Sequence, residues 1–286
     1  MIFNKSKYQR TLQNKGYANS TIQCYTNRLE LYEQWLRLKQ SKGNESETNL
    51  AFGYLKHLQK QTNNYRTINR ELQPLKLYYK FFRKNNPFLF LYIKNTEEKI
   101  KSNFFTKEEL EEMYDNFPQN KSTEIRDKII LGFYIFQGVK SSEVKTIDIK
   151  DLDMNDYKIL LKGDKRANSR KIGLNIKQII LLSEYLNIHS KRENQKNKNT
   201  PLFVVSKSDF ALQNILQRLS EKLRKNVYGF EALYQLRASV INNWVKEYDL
   251  RKAQYLSGHR YISTTEKFIV KDLSLLQKEL DKFFPL

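Results

Sequence analysis

One cysteine in 286 residues, Cys24, excludes an intrachain disulfide framework and any site built from several thiolates. Three histidines, His57, His189 and His259, leave little for a histidine-rich metal centre. No apolar run reaches the roughly 18 residues that a bilayer span needs. The opening MIFNKSKYQR has neither the apolar stretch nor the small-residue cleavage site of a secretory signal. A soluble chain of a reducing compartment, cytoplasmic and without a membrane partner, is the expectation. Acidic side chains are also scarce, 31 against 51 Lys and Arg, which leaves a net charge of +20.

That excess is not a detachable tail. Residues 1–100 carry 18 basic and 7 acidic groups with no aspartate, and residues 101–286 carry 33 and 24. Such a surface attracts polyanions. A membrane-binding amphipathic anchor would gather the charge on one helix, and none dominates here. Nucleic acid is the partner that composition favours, against the plainer reading that a Lys- and Asn-rich composition specifies no partner at all. With 40% hydrophobic residues the chain can bury real cores, and its length suits about two domains at ~150 residues each.

Apolar periodicity makes the first part helical. Leu12, Ile22, Tyr25, Leu29, Tyr32 and Leu36 recur mainly at three- and four-residue steps, interrupted near Gly16. Asn19-Ser20-Thr21 stands where a second helix needs its N-cap. After a polar stretch, Gln40 to Thr48, a third helix carries Leu50, Tyr54, Leu55 and Leu58. A fourth starts after Thr62-Asn63-Asn64, and Asn85-Asn86-Pro87 stops the pattern. The expected division is a helical domain at 1–88, a linker at 89–103 and a larger domain at 104–286. The larger domain opens on a capping box, Thr106-Lys107-Glu108-Glu109. Between Ile147 and Leu174 the period shortens, with polar turns at Met154-Asn155-Asp156 and Gly163-Asp164, which predicts a small antiparallel meander. Helical patterns resume from Ile176. No internal repeat is present.

Five segments then follow one another in a telling order: Gln137-Gly138-Val139-Lys140-Ser141-Ser142-Glu143-Val144, Leu161-Lys162-Gly163-Asp164-Lys165, Tyr234-Gln235-Leu236-Arg237, Leu256-Ser257-Gly258-His259, and Ile262-Ser263-Thr264-Thr265-Glu266-Lys267-Phe268. Together they resemble the catalytic domain of the tyrosine recombinase (phage integrase) family. Gly16-Tyr17-Ala18-Asn19-Ser20-Thr21-Ile22 and Thr67-Ile68-Asn69-Arg70 resemble its helical core-binding domain. The resemblance implies a mainly α chain with a small β-meander, two domains closing as a C-shaped clamp on double-stranded DNA. It also implies a transesterification that needs neither metal nor cofactor: a tyrosine attacks the scissile phosphate, cationic side chains hold its non-bridging oxygens, and a hairpin lysine protonates the leaving oxygen.

On that pattern Arg237 falls at the second arginine, His259 at the Leu-Gly-His box and Lys162 at the hairpin lysine, with Lys165 its nearest competitor. Each has a plainer reading: a solvated arginine, a structural histidine, one lysine among many. Three positions depart from the pattern. Lys140 stands where the family has arginine, keeping the charge but losing the two-point fork. Tyr234 replaces a histidine. Phe268 falls at the nucleophile's position, and a phenylalanine has no hydroxyl with which to form a phosphotyrosyl ester. The resemblance therefore implies a DNA-binding protein unable to cleave, acting as repressor, accessory or architectural factor. The alternative is an active recombinase or integrase in which Phe268 is an engineered change, or in which Tyr261, Tyr255 or Tyr234 substitutes. A generic RNA-binding protein is a third reading.

Arg66, Thr67, Asn69 and Arg70, at a helix start, are the expected DNA contacts of the small domain, with Lys165, Arg166 and Arg260 those of the large one. Association with the nucleoid would follow. The final segment, Asp272 to Phe284, carries Leu273, Leu276, Leu280 and Phe283. In the family such a helix packs on a neighbouring protomer, so a homo-oligomer on DNA is one expectation and packing on its own domain the other.

Overall fold

Local side-chain bonding starts most of the helices. Asn4 accepts from the Lys7 N–H and begins α1 (Lys5–Asn14). Ser46 accepts from the Asn49 N–H and begins α3 (Glu47–Gln61). Asn64 accepts from both Arg66 and Thr67 and begins α4 (Tyr65–Phe82). Between them lies α2 (Asn19–Gln40). It opens on the Ala18 carbonyl, which accepts from Thr21 and Ile22, so the residues expected as its cap form its first turn. The structure, a computed structural model, describes residues 3–40, 45–83, 85–94, 103–164, 167–192, 200–203 and 211–269.

The chain divides into two units, Met1–Ile100 and Lys101–Leu286. In the first, Leu12, Leu29, Tyr32, Leu36, Ile68 and Leu72 are buried as their spacing predicts, each contributing about 1.5–3 kcal/mol. The core is unusually aromatic, and its buried phenols find partners. Tyr8 donates to the Pro74 carbonyl at 2.9 Å, and Tyr78 accepts from the Asn4 N–H at 3.0 Å. Phe88 packs on Tyr32 and Tyr79, and Leu91 is buried with them. The expected linker therefore begins inside the small unit's core. Sequence pattern missed this because the segment after Pro87 makes no helix, yet it packs two apolar side chains.

The second unit begins with α5 (Lys107–Asp115), whose capping box is present in full: Thr106 accepts from the Glu109 N–H and Glu109 from the Thr106 N–H. Then come α6 (Ser122–Gln137), α7 (Ser141–Val144) and a 3-10 turn, Ile149–Asp151. The meander is β1 (Leu152–Asp153), β2 (Lys158–Leu161) and β3 (Arg170–Gly173), antiparallel in the order β1-β2-β3. Ile159 opposes Ile172 on its buried face. The remainder is helical: α8 (Ile176–Arg192), α9 (Ala211–Asn226), α10 (Leu233–Glu247), α11 (Leu250–Ser257) and α12 (Ile262–Glu266). Helix α6 is buried almost all round, so it reads as an apolar run rather than a stripe. Its Lys128 is buried with the ammonium donating to the carbonyls of Phe117 and Asp115. No helix of the described residues is long and apolar enough to cross a membrane.

Candidate active-site cleft

Two glycines set up the site in the second unit. Gly138 ends α6 in the left-handed region (φ 55°), which a side chain would strain and where a Cβ would meet Trp244 and Val240 at 3.1–3.2 Å. The chain turns there and presents Lys140 at the start of α7. Gly258 ends α11 in the same way (φ 67°), and a Cβ would collide with the Arg170 guanidinium. The turn it makes delivers His259, whose N–H returns to the Gln254 carbonyl. The loop after β2 docks on this turn, with the Asn168 N–H donating to the Gly258 carbonyl at 3.0 Å.

Arg237 rises into the space between the two turns from α10 and is buried. It donates to the Gly138 carbonyl, and through Nη2 to the Ser257 carbonyl at 2.7 Å. Nη2 also lies 3.3 Å from His259 Nε2. A guanidinium has donors only, so Nε2 is the acceptor and the ring proton sits on Nδ1. That proton goes to Thr265 Oγ1 at 3.0 Å, and Thr265 is fully buried. Burial, with Arg237 and Lys140 nearby, pushes the His259 pKa down to about 4, so the ring is neutral near pH 7. Burial also pushes Arg237 down to about 10, still charged.

Phe268 lies against His259, ring centroids 5.8 Å apart and planes 18° from parallel. Its carbonyl accepts from Asn242 Nδ2 at 2.7 Å, which fixes the residue after α12 to α10. Lys140, Tyr234, Arg237, His259 and Phe268 line one cleft of about 410 Å³. The Lys140 ammonium makes no hydrogen bond or ion pair with the described residues, and burial with the Arg237 charge lowers its pKa. A half-buried unpaired ammonium beside a buried guanidinium and a neutral imidazole is a receptor for an anion. Its chemistry suits the non-bridging oxygens of a phosphate. Among the described residues no group of His, Cys, Asp and Glu is arranged to hold a metal ion.

The negative charge beneath this cleft comes from a residue that motif reading did not single out for a role. Glu143 receives two bonds from Arg170, Nη1 to Oε1 at 2.7 Å and Nη2 to Oε2 at 3.0 Å, on a side chain with no exposure. Glu143 Oε2 also accepts the Lys140 N–H at 2.8 Å and stands 3.8 Å from Arg237 Nη1. Burial opposes its ionisation most strongly, but the Arg170 contact, the Lys140 N–H and the Arg237 charge together hold the carboxyl below its usual range. Thr265 and Arg170 were equally unmarked. The usable signal was the burial of charged residues inside alternating or apolar patterns, at Arg170 in β3 and at Glu143 in α7.

Other expected site residues lie elsewhere. Lys162 is outside the lining of the cleft. Its ammonium is held by Asp148 Oδ2 at 2.6 Å and Asp151 Oδ2 at 2.7 Å, bonds that raise its pKa. A lysine so held is a weaker acid, and it must leave both carboxylates before it can protonate anything else. Lys165 and Arg166 fall outside the described residues, as does the segment from Asp272 to Phe284. Arg260 is exposed. Tyr234 is 68% exposed at the cleft, whereas Tyr261 does not line it, and the Tyr255 hydroxyl is bonded to the Lys171 backbone. In the first unit Arg66 and Arg70 are exposed and Thr67 half-buried at the start of α4. Asn69 differs from its neighbours. Its amide donates to the Ile93 carbonyl at 2.9 Å and accepts from the Ile93 N–H at 3.0 Å, so its side chain is spent on anchoring the following segment.

A two-unit chain, helical at the front and with a three-stranded meander framed by helices behind, carrying a cationic cleft of this composition, has the architecture of the tyrosine recombinases. The sequence model described as the phage integrase family matches residues 103–273, and that of the phage integrase N-terminal SAM-like domain matches residues 6–86. The chain belongs to this family. It is 26% identical over 286 residues to the tyrosine recombinase XerC of Thermodesulfovibrio yellowstonii, covering 95% of this chain and 92% of that one. Among solved structures it is similar to the Tn1549 transposon integrase in complex with circular intermediate DNA (TM-score 0.69, 16% identity, 99% and 100% of the two chains). It is similar also to XerH site-specific recombinase bound to difH (TM-score 0.64, 19% identity, 98% and 85%). At these identities the structural likeness speaks to fold.

Proposed function

We propose that this chain binds specific double-stranded DNA as a tyrosine recombinase family member and does not itself cut it, with Phe268 where the family's nucleophilic tyrosine stands. One observation carries the reading: the ring that stacks on His259 at the edge of the cationic cleft bears no oxygen. Lys140 and Arg237 retain donors for a phosphate, and His259 gains one on protonation, so the cleft keeps a binding function after losing the attacking atom. The small unit contributes Arg66 and Arg70 at the start of α4, and the chain's +20 charge supplies the sequence-independent attraction. A role as repressor, accessory or architectural factor at recombination sites follows from binding without cleavage.

A second reading is an active recombinase that forms a 3′-phosphotyrosyl intermediate. What favours it is Tyr234, exposed at the same cleft. A nicked suicide DNA substrate, from which the leaving strand diffuses away, separates the two. The chain as given should form no covalent adduct. Phe268→Tyr alone should stay near background, because Lys140 offers charge without a bidentate grip, and loss of one oriented donor typically costs on the order of 10²–10³ in rate. Adding Lys140→Arg should raise the covalent band. A strong band from Phe268→Tyr alone would mean that the rest of the site is intact and that position 268 alone was altered. A band from the unaltered chain, mapped to Tyr234, would overturn the non-cleaving reading.

A further inference from the structure

The first unit has a second cationic feature, in the C-terminal half of α4 rather than at its start. A groove of about 630 Å³ is built from the turn after α1, from α4 between Gln73 and Phe82, and from the segment that follows. Lys15, Lys76, Lys80 and Arg83 line it, with no carboxylate, and none of the four forms an ion pair with the described residues. Cations in the last turn of a helix answer its dipole, which accounts for Lys80 and Arg83. It does not account for Lys15, from another element, nor for Lys76, two turns earlier. Lys76 is half-buried, and burial lowers its ammonium's pKa. The walls are not purely cationic. Tyr17 and Phe81 line the groove, and the Lys15 ammonium sits 5.2 Å from the centroid of the Phe81 ring.

A duplex offers phosphates on a convex backbone with its bases stacked away, which would leave these rings facing charge. A carboxylate-rich peptide answers the cations but makes no use of the half-buried rings, Tyr17 packed on Tyr25 and Phe81 on Tyr8 and Phe82. An unpaired nucleotide supplies both, a phosphate and a free π-face. We propose that this groove binds single-stranded nucleic acid, its phosphates on Lys15, Lys76, Lys80 and Arg83 and an unstacked base against Tyr17, with Phe81 backing the Lys15 ammonium. The assignment goes beyond duplex binding and does not depend on Phe268.

The test uses the full chain and a short labelled oligothymidylate, with a duplex measured in parallel. Lys15→Gln with Lys80→Gln, both at exposed positions, should weaken oligothymidylate binding at least tenfold. It should also flatten the log–log salt dependence by about 1.4, at ~0.7 per phosphate on a single strand. Duplex affinity and its salt slope should not change. Tyr17→Leu should cost about tenfold on the single strand with the slope unaltered, as a stacking loss does. Unchanged urea midpoints confirm that each variant is folded. The proposal is overturned by wild-type protein that does not bind oligothymidylate at low salt, or by variants that bind it normally. It is equally overturned if duplex binding falls in parallel, which would make the groove part of the duplex surface. Polyglutamate that displaces the oligonucleotide and is insensitive to Tyr17→Leu would make it an acidic-polymer site instead.

Discussion

Arg237 and His259 share a contact of 3.3 Å in which the guanidinium donates and the imidazole Nε2 accepts, and burial, reinforced by this charge, keeps the histidine neutral with its proton on Nδ1 toward Thr265. In this state neither ring nitrogen is free to donate to a phosphate. An anion entering the cleft should draw the Arg237 donors and favour the imidazolium.

The pH dependence follows from the depressed His259 pKa of about 4. In the unfolded chain the group titrates near 6.5, so between pH 6.5 and 4 the unfolded state takes up a proton that the folded state refuses, and stability falls as pH falls through that window. A bound phosphate raises the folded pKa, so binding takes up a proton and duplex affinity should rise over the same descent. His259→Gln should flatten both trends. Denaturation midpoints and binding isotherms at pH 7 and pH 5 check this, and equal slopes in wild type and variant would remove His259 from the linkage.

The Glu143–Arg170 pair should be the most expensive charge contact to break. Removing one partner of a buried pair leaves an uncompensated charge and costs about 3–5 kcal/mol. Arg170→Met should therefore leave Glu143 with only the Lys140 N–H and the more distant Arg237 as partners, and lower the urea midpoint strongly. Exposed pairs such as Lys158–Asp156 should contribute below ~1 kcal/mol. Comparable losses from the two would mean that the pair at β3 and α7 is not buried in solution.

Much of this was legible in the sequence where the cause is local. The capping box at Thr106 forms as read, and α4 starts where Thr62-Asn63-Asn64 marks it, both through contacts between residues two or three apart. The cleft was legible through motif order, because Gly138, Gly258 and the residues after them are positioned by helix ends that the sequence marks. Pairing across the fold was not. Arg170 meets Glu143 27 residues away, and Asn69 meets the backbone of Ile93 24 residues away. Nothing in either local pattern names the partner. Lys162 was read from its turn alone, while Asp148 and Asp151, which hold it, come from the 3-10 turn before the meander.

The Lys162 clamp predicts a reactivity. With Asp148 and Asp151 holding its ammonium and raising its pKa, Lys162 should react slowly with amine-directed reagents in the free protein. Asp148→Asn removes one of the two carboxylates and should speed its labelling severalfold, read by peptide mass mapping. Duplex DNA added to that variant should restore protection if the hairpin lies against DNA. Labelling that is fast in wild type and indifferent to Asp148→Asn would show that the two ion pairs do not persist in solution.

The start of α4 sets two exposed arginines and an anchoring amide within five residues. Arg66 and Arg70 are exposed, whereas Asn69 carries two bonds to Ile93. If both arginines reach phosphates, Arg66→Ala with Arg70→Ala should reduce the slope of log affinity against log salt on duplex DNA by about two, at ~0.9 per phosphate. Stability should barely change, because neither side chain forms an ion pair with the described residues. Asn69→Ala should do the reverse. It leaves the N–H and carbonyl of Ile93 without their partner, at a cost of about 1–3 kcal/mol. The salt slope should stay where it is, since no phosphate contact is removed. Salt titrations and urea melts on the same three proteins read both effects. A slope that falls with Asn69→Ala while the urea midpoint holds would place that amide on DNA and release Ile93 from it.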